Sequence, residues 1–208
     1  MHVKAQIHPT PFAVLAVLAA VALLLPFPGS LSVVVSRWAM TETAALPAVD
    51  LLSTGAVGAL ALATAAASLH AWRAHRDRLP LVIGASLGVG VAYALSEGMK
   101  VVLAQGRPCA RWDGAAHCPP AGDWSLPSNH ATVAFAALVV IGLATRSASA
   151  TWVAGGLGVL AATGRVLEGV HYLHDVALGA LLGMVVAAGA AAAAGRVHRL
   201  LSRGEPGR

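Results

Sequence analysis

Charge is what this chain has least of. Of its 208 residues, 11% are Asp, Glu, Lys or Arg and 57% are hydrophobic. Soluble domains carry about 25% charged residues. With a mean hydropathy of +0.72, the composition excludes an ordinary soluble domain and points to a membrane protein. A run of basic residues is also missing. A net charge of +5 and a pI near 10.0 would suit a nucleic-acid partner, but the arginines are scattered, so no nucleic acid is expected and they read as topology signals. The sequence has no internal repeat, no coiled-coil heptad and no separate soluble domain. Its apolar runs lack two-residue alternation, which excludes a transmembrane barrel.

What is present is a series of apolar runs. A spanning helix needs about 20 mostly apolar residues, and six segments qualify: 11–35, 49–70, 80–104, 129–145, 150–167 and 172–195. Only helices and closed barrels satisfy their backbone in lipid. The expectation is an all-α fold, a six-helix transmembrane bundle forming one integral-membrane domain over residues 1–208. The abundance of Ala and Gly suits helices packed closely in a bilayer. The first run resembles a signal peptide but is long and shows no clear cleavage site before Arg37. It reads as a retained first span, kinked near Pro26 and Pro28.

Six spans place both termini on one side. That side gathers Lys4, Arg73, Arg76, Arg78, Arg146, Arg196, Arg199, Arg203 and Arg208, nine of the fourteen basic residues. Lys and Arg favour cytoplasmic loops, so both termini are expected in the cytoplasm of a multi-pass cell-membrane protein. The opposite face holds Arg37, Lys100, Arg107, Arg111 and Arg165, with the loop "QGRPCARWDGAAHCPPAGDWSLPSNH". Cys109 and Cys118 lie in it. Two cysteines in an extracytoplasmic loop favour a disulfide; two free thiols are the alternative.

Three polar clusters lie at helix ends on that outer face. In "KVVLAQGRP", Lys100 and Arg107 are seven residues apart, two turns on one helical face, and Pro108 then ends the helix. In "PSNH", Ser128 can cap the fourth span, free backbone N–H groups can bind an anion, and His130 faces the same region. In "GRVLEGVHYLHDVALG", Arg165 ends the fifth span, and His171 and Asp175, four apart, share a face at the start of the sixth. A carboxylate on one imidazole nitrogen fixes the tautomer and leaves the other nitrogen free, the orienting half of a nucleophilic triad. Three cations suit a phosphate, and two histidines offer a nucleophile and an acid. Glu97, one turn before Lys100, is read as its partner and His174 as an interfacial histidine.

Lys100-x6-Arg107-Pro108, Pro127-Ser128-Asn129-His130 and Arg165-x5-His171-x3-Asp175 resemble, in order and spacing, the three motifs of the type 2 phosphatidic acid phosphatases. There are two departures: the family usually has Gly where Asn129 stands and Ser where Gly164 stands. Asn can donate through its side chain or adopt unusual backbone angles. Gly164 removes one hydroxyl contact to phosphate.

The resemblance implies roles. His171 is the nucleophile, forming a phosphohistidine; Asp175 orients it; His130 is the general acid. Lys100, Arg107 and Arg165 hold the phosphate, with Ser128 and the amides near Asn129. Neither cofactor nor metal is implied. The function expected is that of a lipid phosphatase acting at the extracytoplasmic face on a membrane lipid, an undecaprenyl diphosphate or a phosphatidate type. The rivals are a transporter or structural membrane subunit, against which Lys100, His130 and His171 stand intact, and a vanadate-dependent haloperoxidase, whose relatives are soluble.

Overall fold

The computed structural model describes residues 9–24, 30–43, 47–113, 115 and 117–203. Lys4, Pro26, Pro28 and Arg208 lie outside them. The described residues form helices α1 (Pro9–Leu24), α2 (Leu31–Thr43), α3 (Pro47–Ala74), α4 (Leu79–Leu103), α5 (Asn129–Thr145), α6 (Ala148–Leu167) and α7 (Leu173–Arg203), with single 3-10 turns at Arg76–Arg78 and Pro108–Ala110 and no strand. Four stretches, Ala48–Ala74, Arg76–Ala110, Ala148–Leu167 and Leu173–Ser202, are long and apolar enough to cross a membrane. Many of their large side chains, such as Leu62, Leu87, Val102 and Val153, point outward and are exposed. That pattern suits lipid and not water.

α5 is the axle. It is apolar all round, which buries a helix on every side; from Ala131 to Ala144 only Val133 is not fully buried. α3, α4, α6 and α7 pack around it. α3 and α4 follow one another in sequence, yet both lean on α5 and scarcely touch each other. Small residues set the closest approaches, as expected where lipid offers no hydrophobic drive between helices. A Cβ at Gly183 would lie 2.2 Å from the Thr132 carbonyl, and one at Gly179 would lie 2.5 Å from that of Ser128, so α7 rests on the backbone of α5. α4 meets α7 in the same way: a Cβ at Gly84 would lie 2.7 Å from the Ala190 carbonyl.

Helix ends follow local chemistry. Pro80 sits in the first turn of α4, where its missing N–H costs nothing, and that helix closes on Ala104 in a left-handed conformation. Arg146 closes α5 likewise, and the Ser147 hydroxyl caps α6 by accepting from the Ala150 N–H.

The first expected span, 11–35, is not one helix. α1 ends at Leu24 and α2 begins at Leu31, after Ser30, whose carbonyl accepts from the Val34 N–H at 3.0 Å. The proline pair and glycine of "PFPGS" are the signal that a continuous helix is disfavoured there. α1 and α2 are shorter than a spanning helix, with 16 and 13 residues. α2 lies over the turn between α6 and α7. Its Thr43 hydroxyl lies 3.1 Å from the Leu167 carbonyl, and Met40 fills the space beside Gly169.

Candidate active site

Where α4 ends, α5 begins and α6 turns into α7, a cavity of about 320 Å³ opens. Its wall contains Lys100, Arg107, Asn129, His130, Arg165 and His171, together with Val57, Tyr93, Val133, Pro119 and Asp123. Three separate sequence clusters therefore meet on one space. Ser128 and Asp175 lie behind the wall and are fully buried.

Lys100 and Arg107 converge, but not along one helix. α4 stops at Leu103, and Arg107 is extended, with φ −72 and ψ 154. A residue before proline is pushed out of the helical region, and Pro108 does this to Arg107. The freed segment brings the guanidinium back over the site, where it is almost saturated. Nε donates to the Asp123 carbonyl at 2.8 Å. Nη2 donates to Asp123 Oδ1 at 2.7 Å and to the Trp124 carbonyl at 3.2 Å. Nη1 donates to the Val170 carbonyl at 2.9 Å and lies 3.2 Å from His171 Nε2. Lys100 Nζ donates to Glu97 Oε1 at 3.0 Å, the pairing expected from their spacing. Arg165 is paired with Glu168. Burial raises the Glu168 carboxyl above its ordinary range, and Arg165 opposes that shift.

His171 is not on a helix, as the four-residue spacing to Asp175 implied, but in the bend just before α7, and it is buried. Its Nδ1 lies 3.5 Å from Asp175 Oδ2 and makes no hydrogen bond among the described residues. An arginine N–H can only donate, so the His171 Nε2 beside Arg107 must accept. The ring proton then belongs on Nδ1, on the side of Asp175. Burial, followed by the charges of Arg107, Arg165 and Lys100, holds the imidazole pKa well below its ordinary value. The ring is neutral at pH 7, with an unshared pair on Nε2 turned toward the cations.

Asp175 is fixed from several sides. Its Oδ2 accepts from the Tyr172 N–H at 2.7 Å, and its Oδ1 accepts from the Gln105 amide at 2.8 Å. His174 is not an interfacial residue. It is buried, its Nε2 lies 3.3 Å from Asp175 Oδ1, and its ring stacks on Tyr172 with centroids 5.2 Å apart. Two serines of α2, one turn apart, reach the start of α7: Ser36 accepts from the Leu173 N–H and Ser32 from the His174 N–H. These satisfy free N–H groups of the first helical turn. Gln105, Asp123, Ser32 and Ser36 carried no periodic signal in the sequence. They are single polar residues in a loop or on a short helix.

Ser128 occupies the N-cap position of α5, but its hydroxyl makes no capping bond and has no partner among the described residues. Its N–H donates to the Asp175 carbonyl at 3.0 Å, which ties α5 to α7. Asn129 uses ordinary helical backbone, so its unusual-angle tolerance is not needed. Its amide donates to Glu97 Oε1 at 2.6 Å, and its Oδ1 accepts from Ser96 at 2.7 Å. At Gly164 a Cβ would lie 2.6 Å from the Ser53 Cβ. Ser53, from α3, fills the space that a serine at 164 would take, and its hydroxyl donates to the Ala161 carbonyl at 3.1 Å.

The loop over the cavity is held at both ends. Cys109 and Cys118 form a disulfide with Cα atoms 5.7 Å apart. The Cys109 N–H donates to the Gly169 carbonyl, and the Ser125 N–H to the Gln105 carbonyl, both at 2.9 Å. At the opposite end of the bundle the basic residues collect. Arg78 donates to the Ala144 carbonyl at 2.9 Å, and Arg146 lies 3.9 Å from Asp77.

Chemically, the cavity can bind a multiply charged oxyanion and present a neutral imidazole to it, with a second imidazole, His130, on the same wall. Compared with known families, residues 80–199 match the sequence model of the PAP2 superfamily. No curated protein and no solved structure matches the chain.

Proposed function

The chain belongs to the PAP2 superfamily, whose members are phosphatases, and from that premise we propose that it is a metal-independent lipid phosphatase of the cell membrane. The observation that carries this is the single cavity in which Lys100, Arg107 and Arg165 surround His171, with His130 beside them. Phosphoryl transfer needs mainly positioning and charge stabilisation, and three fixed cations supply both.

The headgroup phosphate sits among the three cations. His171 Nε2 attacks phosphorus, the bond from phosphorus to the lipid oxygen breaks, and His130 gives that oxygen its proton. The resulting phosphohistidine carries its remaining proton on Nδ1, facing Asp175. Water, deprotonated by His130, then attacks phosphorus and releases inorganic phosphate and neutral His171. Asp175 acts as a positioning residue, and the Ser128 N–H, bonded to the Asp175 carbonyl, holds the start of α5 against α7.

The reading as a lipid enzyme rests on the shape around the site. Below the cations the wall turns apolar through Val57, Tyr93 and Val133, one from each of α3, α4 and α5. Because α3 and α4 scarcely meet, a lipid tail can reach the cavity sideways from the bilayer. The proposed topology keeps six crossings, with the 16-residue α1 as the first despite its shortness, and on that reading both termini and the Arg78 and Arg146 end lie in the cytoplasm. The cavity then faces outward. The substrate class is an isoprenoid diphosphate of the undecaprenyl type or a phosphatidate.

The test is a leaving-group series on detergent-purified protein in chelator. General acid help is worth about 10²–10⁴-fold, and a lipid alkoxide needs it far more than a nitrophenolate does. His130→Ala should lose most activity on a lipid monophosphate, less on a lipid diphosphate, and least on nitrophenyl phosphate. Equal losses on all three would remove His130 from the acid role.

A further inference from the structure

Each of the three cations has a carboxylate partner, but the three carboxylates differ in kind. Glu97 and Glu168 sit one turn from their cations on or beside the same helix, outside the cavity wall. The Glu97 oxygen that meets Lys100 also accepts from Asn129. Asp123 is different. It comes from the overlying loop and lines the cavity. Its Oδ1 lies 2.7 Å from Arg107 Nη2 and 3.9 Å from Lys100 Nζ. One carboxylate oxygen therefore stands between two of the cations on which the proposed function depends, where a phosphate oxygen would have to stand.

Arg107 makes the competition explicit. Its other donors are committed to the carbonyls of Asp123, Trp124 and Val170 and to His171. Among the described residues, the Asp123 carboxylate is the one charged oxygen on this guanidinium. It is also the contact that can be given up cheaply: the Asp123 side chain is 43% exposed, so water can take over its oxygens when it swings out. The backbone contacts keep Arg107 in place meanwhile. Gly122, with φ +92, gives the loop a turn immediately before Asp123 that L side chains rarely adopt.

We propose that Asp123 is a built-in competitor for the phosphate site, an anion surrogate that a substrate headgroup displaces and that returns to expel the product phosphate. This rests on the reading of the cavity as a phosphate site. A pocket of three cations with no such competitor would hold the inorganic phosphate that it makes. A site occupied nine-tenths of the time by its own carboxylate binds about tenfold more weakly than a free one. The competitor thus weakens binding of both ligands alike, and a lipid substrate, whose tail adds binding of its own, stays bound where inorganic phosphate does not.

The experiment measures equilibrium binding of inorganic phosphate to the detergent-purified full chain. The proteins are the unmodified chain, Asp123→Asn and Asp123→Ala. Both variants keep the backbone carbonyls that hold Arg107. Each should bind inorganic phosphate about tenfold more tightly and show a matching fall in KM for a lipid monophosphate. If Asp123 instead serves to orient Arg107, binding weakens. Unchanged or weaker binding in either variant overturns the proposal. A fall for inorganic phosphate with none for the lipid overturns the claim that the substrate headgroup displaces Asp123. Equilibrium binding needs no turnover, so these results stand apart from whether His171 forms a phosphoenzyme.

Discussion

Gly164→Ser restores the hydroxyl that the family usually carries, and the packing says it should do harm. The new Cβ would lie 2.6 Å from the Ser53 Cβ and 3.2 Å from the Ser53 Cα. Carbon atoms rest at about 3.5–4.0 Å, so α3 and α6 must part locally by roughly 1 Å. Overpacking of this size costs about 1–3 kcal/mol, and each kcal/mol lowers the midpoint of a chain this long by about 2–4 °C. The functional loss should be larger than the structural one. Arg165 is the next residue, and a displacement of about 1 Å at a positioning group can cost about 10²-fold in rate. The assay pairs thermal denaturation in detergent with kcat/KM on a lipid phosphate. It covers Gly164→Ser, Ser53→Gly and the double variant. The double variant moves the side chain from α3 to α6 and removes the clash, so it should recover both quantities relative to Gly164→Ser. A single variant with unchanged midpoint and rate would refute the close packing of α3 on α6. A double variant no better than the single one would refute Ser53 as its cause.

Asp175→Asn should lower kcat by about 10²–10⁴-fold while leaving the KM for lipid phosphate within a few fold, because Asp175 lies behind the cavity wall and acts through His171. A KM effect as large as the kcat effect would place it in direct contact with substrate. The buried, neutral His171 also predicts an acid sensitivity. Its folded pKa is depressed, so below its ordinary value of about 6.5 the unfolded chain takes up a proton that the folded chain refuses, and stability falls as pH falls. The difference in midpoint between pH 8 and pH 5 should therefore be smaller in His171→Gln than in the unmodified chain. An equal or larger difference would argue that His171 titrates normally.

The helices of the bundle were legible where lipid and core impose one rule along the whole segment. The expected span 129–145 coincides with α5, and 80–104 and 150–167 fall within two residues of α4 and α6. The run 11–35, read as one span kinked at its prolines, holds two helices among the described residues, α1 and α2, and the prolines lie outside those residues. Lys100, Arg107, Asn129, His130, Arg165 and His171, which line one cavity, were legible as polar residues clustered at the helix ends of an otherwise apolar chain. What supports them was not. Asp123 and Gln105 are loop residues, and Ser53, Ser32 and Ser36 are small hydroxyls on helices that look apolar or short. Their importance comes from contacts between segments far apart in sequence, such as the 142 residues from Ser32 to His174. Helical geometry even misled in two places: Arg107 and His171 both stand just outside the helices on which their spacing would put them.

In the proposed mechanism His171 becomes covalently phosphorylated. The direct measurement mixes the purified chain with a lipid labelled in its phosphate, quenches in alkaline denaturant during turnover, and locates the label on the chain. The account predicts label on His171 in the unmodified chain, its accumulation where the second step is slowed, and none in His171→Ala. Label on another residue, label retained in His171→Ala, or steady turnover by His171→Ala would contradict it.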